Sequence, residues 1–485
     1  MNTRPSPALK QQGGWSMIVS MVLFMAGVAF PESLKFDTQQ VPAYKTKAKA
    51  GDPQAQFFLA VAFETGKGVE KDLPESFRWY RRSAESGLAE AQHNLGLCFQ
   101  EGKGVQEDKP LAVAWFRKAA EQRHAASQLM LGDCLYHGIG AAKDYTAAAR
   151  WFHLAAEQGN RTAQANLGSC YGNGHGVPQD FSEAFKWHRQ AAAQNVAASQ
   201  LLVGNSYSFG KGVVQDAEAA VQWWRLAAEQ NVAEAHYRLG NAYYEGIGVP
   251  KSFEEAYQWY RRGANQSYAR AQYALGALYF HGEGVTKDFV EAVKWYQLAA
   301  NQGDDSAQFS LANCYSHGEG VKKDGAAAMK WWLKAAEQDY TKAQHNLARA
   351  YATGEHTPKD EAAATKWYLK AAELGLAESQ QAMGTRNRTG IGGPTNHLEA
   401  VKWFRLAAEQ GDALSQTMLG VSYGYGQGVK KDLVESYAWF SIAAQKNEDA
   451  AKNKIAVEKK LTQKQLANGE ARADELRALI RLKKP

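Results

Sequence analysis

Tryptophan followed by an aromatic residue or His recurs eleven times at an unbroken interval of 36 residues, at Trp79, Trp115, Trp151, Trp187, Trp223, Trp259, Trp295, Trp331, Trp367, Trp403 and Trp439. A chain so constrained has few options. A unit of this size is too small to bury its own apolar side, so neighbouring units must supply each other's core and the array grows by stacking. Such a design yields surface, and function is to be sought on a face rather than in a closed pocket.

Other landmarks keep the same register. Gly66 recurs every 36 residues to Gly426, a large aliphatic residue stands seven earlier from Leu59 to Leu419 (Val203 and Met383 being the variants), and a small residue four before that from Ala55 to Ser415. Ala55, Leu59 and Phe63 share one face of a first helix, which Gly66 ends by adopting the left-handed conformation cheaply. Asp72 caps a second helix, with Glu75 placed to complete a capping box. That pattern returns with Glu183, Glu255, Glu291, Glu399 and Glu435. The second helix carries Trp79 and the small pair Ser83-Ala84, and Gly51, Gly87, Gly159 or Asn195 breaks the chain again. The unit is helix, turn, helix, turn, with no room for a strand.

One full unit reads Gly303, Ala307, Leu311, Tyr315, Gly318, Gly320, Asp324, Trp331-Trp332, Ala335-Ala336. This resembles the Sel1-like repeat, a relative of the tetratricopeptide repeat, over about residues 51–446. The resemblance implies an all-α, right-handed α-solenoid of eleven helix-turn-helix repeats whose first helices line a concave groove. It also implies a protein- or peptide-binding adaptor or scaffold. The family has a connection with β-lactam binding or hydrolysis, so an envelope hydrolase acting on peptidoglycan or a β-lactam is the alternative.

The ends differ from the array. Arg4 and Lys10 precede an uncharged stretch from Gln11 to Pro31, with small residues Gly27 and Ala29 before Phe30. Residues 1–29 therefore read as a cleaved signal peptide, or as an uncleaved anchor although short for a span. Either places the repeats outside the cytoplasm, in the periplasm or secreted, and confines membrane contact to the N-terminal segment. Residues 30–50 read as a half-repeat cap. In residues 447–485, a lone first helix over 447–460 is followed by a closing helix that Thr462 and Gln465 cap and Gly469 weakens. His356 in place of a turn Gly, Asn387 in place of an aromatic, and Gly393-Pro394 in the tenth turn mark the ninth and tenth units as the softest.

Several chemistries find no support. Cys98, Cys134, Cys170 and Cys314 share one slot of the repeat, so stacking holds them about 8–10 Å apart, beyond disulfide reach. That separation also argues against a metal site. Residues 1–29 hold two basic residues, and residues 447–485 ten basic and six acidic. That leaves 44 of each sign between them, a balance unsuited to nucleic acid. His137, His281 and His317 precede the turn Gly, where a helix C-terminus favours a cation. Ser208-Phe-Gly-Lys211 alone fits Ser-x-x-Lys, and it straddles a turn instead of opening a helix. The Gly-x-Gly turns carry no phosphate-loop Lys-Ser/Thr. No catalytic residue, cofactor or metal is expected.

The candidate site is the groove. Three slots of the first helix vary while the frame is fixed: Asn94, Asn166, Arg238 and Asn346 in the first, Asn205, Asn241, Asn313 and Arg349 in the second, Tyr237, Tyr273 and Phe309 in the third. Asn can donate to and accept from a peptide backbone of any sequence, and the aromatics would anchor apolar groups. These rows are equally consistent with ordinary solvated helix faces. The spacing puts Asn205, Asn241 and Asn313 away from the buried stripe, where their loss leaves the fold intact, and makes the Trp slot the structural one.

Overall fold

The computed structural model describes residues 36–482, and the N-terminal leader read above lies outside them. Within the described residues there are twenty-five α-helices and no strand. A short 3-10 turn and the helix Val41–Lys49 open the described chain. Eleven pairs of helices follow, from Pro53–Thr65 with Leu73–Glu85 to Ala413–Tyr425 with Leu433–Ala443, and Glu448–Glu458 and Gln463–Leu482 close it. The helices form two compact units, the first ending at Lys251 and the second beginning at Ser252. In both, the paired helices pack on their neighbours in sequence, and the closing helix Gln463–Leu482 packs back on Leu433–Ala443.

The helix ends are set by backbone chemistry that the spacing anticipates. Asp72 Oδ1 accepts from the Glu75 N–H at 2.9 Å, and the same bond recurs at Asp108, Asp144, Asp216, Asp324 and Asp360. The reciprocal half of the expected capping box is supplied differently. The Asp72 N–H donates back to the Phe63 carbonyl at the end of the first helix, 2.9 Å away, and Asp108, Asp144 and Asp180 repeat this bond. With the cap's N–H already satisfied, the Glu side chains turn outward to a cation one turn on, as in Glu75 with Arg78 and Glu291 with Lys294, both at 2.8 Å. A complete box does form at the closing helix, where Thr462 N–H donates to Gln465 Oε1 and Gln465 N–H to Thr462 Oγ1.

The paired turn glycines have separate tasks. Gly102 has φ +68° and ends the first helix, its N–H bonding the Cys98 carbonyl. Gly104, φ +71°, seats on the Leu73 carbonyl that opens the preceding second helix, so any Cβ there would collide with backbone. His356 departs from this rule, holding the left-handed conformation at φ +72° with a side chain. The residue it faces in the preceding repeat is Gly325, so the missing side chain has moved across the contact, and His356 Nε2 lies 2.8 Å from Ser316 Oγ. In the tenth unit, Arg386 is buried and bonds Thr365 Oγ1 and both the carbonyl and carboxylate of Glu361. Gly469 is likewise a packing residue: a Cβ there would come within 2.7 Å of the Tyr437 ring.

The core corrects one reading. In every aromatic pair but the last it is the second member that is the more enclosed: Tyr80, Phe116, Phe152, His188, Tyr260, Tyr296, Trp332 and Phe404 are at most 3% exposed, whereas in the last pair Trp439 is 1% exposed and Phe440 3%. Trp115, Trp151, Trp223, Trp259, Trp295, Trp367 and Trp403 are only half-buried. Several indoles carry a cation on the face, with Arg82 4.5 Å from the Trp79 centroid, Lys118 3.9 Å from Trp115 and Lys334 4.3 Å from Trp331. In seven of the eleven repeats the periodic Trp is thus the rim of the core, while Trp79, Trp187, Trp331 and Trp439 are buried. The neighbour of the periodic Trp packs on a mid-helix Gly of the first helix: a Cβ on Gly96, Gly132, Gly204 or Gly420 would stand 2.5–2.6 Å from Phe116, Phe152, Trp224 or Phe440. A Gly in a helix interior costs about 1 kcal/mol, offset by this close approach. Ala60, Ala312 and Ala348 stand in the same slot and are fully buried.

A buried amide ladder holds the units in register. Gln92 Nε2 donates to the Ala84 carbonyl while Gln92 Oε1 accepts from Gln122 Nε2. The same pair of bonds recurs at Gln128, Gln164, Gln200, Gln272, Gln308, Gln380 and, for the carbonyl half, Gln56, Gln344 and Gln416. Satisfying both ends makes a polar group acceptable at this depth and penalises any slip of register.

Candidate functional site

The candidate rows fall on the first helices, and many of their polar atoms are used within the protein. Asn205 Oδ1 accepts from Trp224 Nε1 at 3.0 Å, and Asn313 Oδ1 accepts from Trp332 Nε1 at 3.0 Å and from Asn346 Nδ2 at 3.3 Å. Asn166 Nδ2 donates to Asp133 Oδ1 at 3.0 Å. Asn94 is buried near the Tyr80 hydroxyl. The expectation that Asn205 and Asn313 can be removed without harm to the fold is therefore corrected. Helical spacing does place them off the Leu stripe, but the enclosed aromatic of the second helix turns its polar tip toward that slot.

The remaining candidates are more peripheral. Arg238 lies 2.8 Å from Glu234 on its own helix, with its guanidinium 5.7 Å from the Phe209 centroid. Tyr237 and Asn241 are half-buried in unit 1. In unit 2, Tyr273 packs 5.8 Å from Tyr296, Phe309 packs 5.0 Å from Tyr340, and Arg349 is exposed. The structure thus brings together Asp133 with Asn166 and Asn313 with Asn346, each joining adjacent repeats, and spaces the others along the first helices of their own unit.

Buried ionisable groups lie on or beside the first helices at His93, His124 and Asp133, and on a second helix at His188. His93 Nδ1 and His124 Nδ1 both lie 2.9 Å from Ser127 Oγ, with ring centroids 5.0 Å apart. Burial, with the neighbouring His124 as a second cause, brings His93 down to about 3, and burial brings His188 down to about 3. Burial raises Asp133 to about 7. Asp133 shares the slot of Asn205 and escaped the sequence reading, although it is the one acid in that slot and so was legible as an anomaly.

The cysteines are free and buried, and burial pushes all four thiols up to about 12. They are poor nucleophiles in that state. In the Ser208–Lys211 segment, the Lys211 ammonium lies 5.5 Å from the Phe181 centroid and the Ser208 carbonyl accepts from Gln215 Nε2. A small cavity in the first repeat is lined by Val61, Glu64, Thr65, Lys71, Leu73, Tyr80 and Lys103. Its polar groups pair internally, Tyr80 OH donating to Glu64 Oε2 at 2.7 Å and Lys103 lying 2.7 Å from Glu101. Among the described residues no group of His, Cys, Asp and Glu is placed to hold a metal, and no helix is long and apolar enough to cross a membrane.

Helix pairs of near-constant length, one register of caps and a recurring glycine contact are the frame of a repeat family, and the Sel1 repeat profile matches eleven successive segments from residues 53–88 to 413–448. The chain belongs to the Sel1 repeat family. Sel1-repeat solenoids are typically protein-interaction scaffolds and typically non-catalytic. A solved protective antigen of uropathogenic Escherichia coli with this fold is 34% identical, with a TM-score of 0.73 over 92% of this chain and 97% of that one. A Sel1 repeat protein from Oxalobacter formigenes is 32% identical, with a TM-score of 0.52 over 63% of this chain and 88% of that one. Among the curated proteins compared, none matches.

Proposed function

We propose that this Sel1-repeat protein is an exported, non-enzymatic scaffold of the cell envelope that binds a protein or peptide through the faces of its first helices. The observation that carries the reading is internal to the chain. The frame slots repeat almost unchanged through eleven units, whereas the slots holding Tyr237, Arg238, Asn241, Tyr273, Phe309 and Arg349 vary in size, charge and polarity. Variation on one face of a constant frame is what a recognition surface on a repeat array has. Half-buried aromatics and Arg on that face are the residue types that anchor partners. The protective-antigen description of the E. coli protein agrees with export.

Capture from envelope extract tests the binding reading. The wild-type chain should retain a protein or peptide, and Tyr237→Ala with Arg238→Ala in unit 1, or Tyr273→Ala with Arg349→Ala in unit 2, should lose it with circular dichroism unchanged. Full capture by both double variants would overturn the assignment to these faces. For export, the mature N-terminus should be Phe30; Met1 intact in the cytosol would refute it. Turnover of peptidoglycan or a β-lactam by the purified chain would refute the non-enzymatic reading.

A further inference from the structure

We propose that Asp133 is a built-in proton switch at the junction of the third and fourth repeats, its carboxyl protonated when the two first helices are fully packed and its ionisation loosening that junction. The argument starts from the slot. In unit 1 Asn205 receives the indole N–H of Trp224, and in unit 2 Asn313 receives that of Trp332 together with the amide of Asn346. At the junction of the third and fourth repeats the same three places hold Asp133, Phe152 and Asn166. Phe152 has no hydrogen to give. Asp133 Oδ1 still accepts from Asn166 Nδ2 at 3.0 Å, but Oδ2 is buried without a hydrogen-bond partner among the described residues.

A carboxylate in that setting is a buried charge with one neutral donor and no counterion. Asp133 is 8% exposed, and no ion pair reaches it among the described residues. One turn on along the same helix, His137 is exposed and is lowered by burial and by Lys143, so it supplies no fixed countercharge. That helix, Ala125–His137, carries Cys134, and the following first helix, Arg161–Asn173, carries Cys170, both thiols neutral with values near 12. The preceding first helix, Ala89–Glu101, has Leu97 at the equivalent place, and the second helices Lys109–Glu121 and Tyr145–Glu157 bring Phe116 and Phe152 to the core position. A group so placed takes up a proton rather than remain charged. Burial accordingly raises this carboxyl to about 7. The proton removes a negative charge that no other repeat places in this slot, which elsewhere holds Asn, Arg, a hydroxyl residue or an apolar one.

The linkage has a definite sign. An unfolded Asp releases its proton near 3.9, whereas folded Asp133 keeps it to about 7. Between these values the folded state holds one proton more, so local stability falls as pH rises through the window and levels off above it. The opening equilibrium of the junction should therefore increase about tenfold per pH unit on account of this group alone. His93 and His188 act in the opposite direction, so the measurement is the difference between wild type and variant.

Hydrogen exchange of the helices Ala125–His137 and Arg161–Asn173 in the full chain, corrected for intrinsic exchange, reads this out. Relative to Asp133→Asn, wild-type protection should fall about tenfold per unit between about pH 5 and about pH 7. Phe152→Trp should abolish most of that slope by giving Oδ2 an indole N–H, since Gly132 leaves beside Phe152 the space that Gly204 leaves beside Trp224. Identical pH profiles for wild type and Asp133→Asn, or an unchanged slope in folded Phe152→Trp, overturn the proposal. Infrared difference spectra of the wild type keep the test open if a variant does not fold. A protonated buried-carboxyl band should be present at about pH 6 and lost at about pH 8, and its absence at the lower pH overturns the proposal equally.

Discussion

Replacing Asn313 by Ala separates a solvated surface residue from one that holds the array together. Asn313 Oδ1 takes two hydrogen bonds, from Trp332 Nε1 at 3.0 Å and Asn346 Nδ2 at 3.3 Å, and Trp332 is 1% exposed. The Ala variant leaves the Trp332 indole N–H buried without an acceptor, which costs about 1–3 kcal/mol. Asn346 is half-buried and can turn toward water, so it adds little. A solvated residue would instead fall within about 0.5 kcal/mol. Trp332→Phe removes the donor itself, so Asn313→Ala should cost much less in that background, with a coupling of about 1–2 kcal/mol. Because a repeat array opens piecewise, the assay is native-state hydrogen exchange across Asp305–His317 and Gly325–Glu337 in the full chain. Equal and small costs in both backgrounds would refute the reasoning and return Asn313 to the candidate binding face.

The remaining predictions concern the core and its ionisable groups. Trp224→Ala should cost about 3–5 kcal/mol, and Trp223→Ala clearly less because its indole is half-buried; equal losses in chemical denaturation would contradict the packing. Denatured protein should titrate four free thiols and the melting temperature should be indifferent to reductant, since all four cysteines are free; a thiol count of zero rules this out. His93 and His188, both lowered to about 3, stay neutral in the folded chain. Stability contributed at neutral pH is thus lost as pH falls below the unfolded value near 6.5 and on toward about 3; ring signals of either His titrating near 6.5 in the native protein would refute it.

The 36-residue spacing alone determined the number of units, the all-helical class and the positions of the turns. Each depends on local rules, in which Gly66 stops a helix by its own φ of +73° and Asp72 starts one with its own side chain. What lies inside and what faces a partner depended on contacts between residues far apart in the chain. Trp79 and Tyr80 are both large aromatics about 100° apart on one helix, and the sequence cannot say which of them a neighbouring helix will enclose. Asn205 and Asn313 are periodic, yet their partners stand 19 and 33 residues away in the chain, and only the stacked helices aim an indole or an amide at them. Asp133 shows the same limit from the other side. Its acidity is written in the sequence, but the missing donor is a property of Phe152 in the packed repeat, where an aromatic ring without a polar hydrogen leaves a buried carboxyl oxygen unanswered.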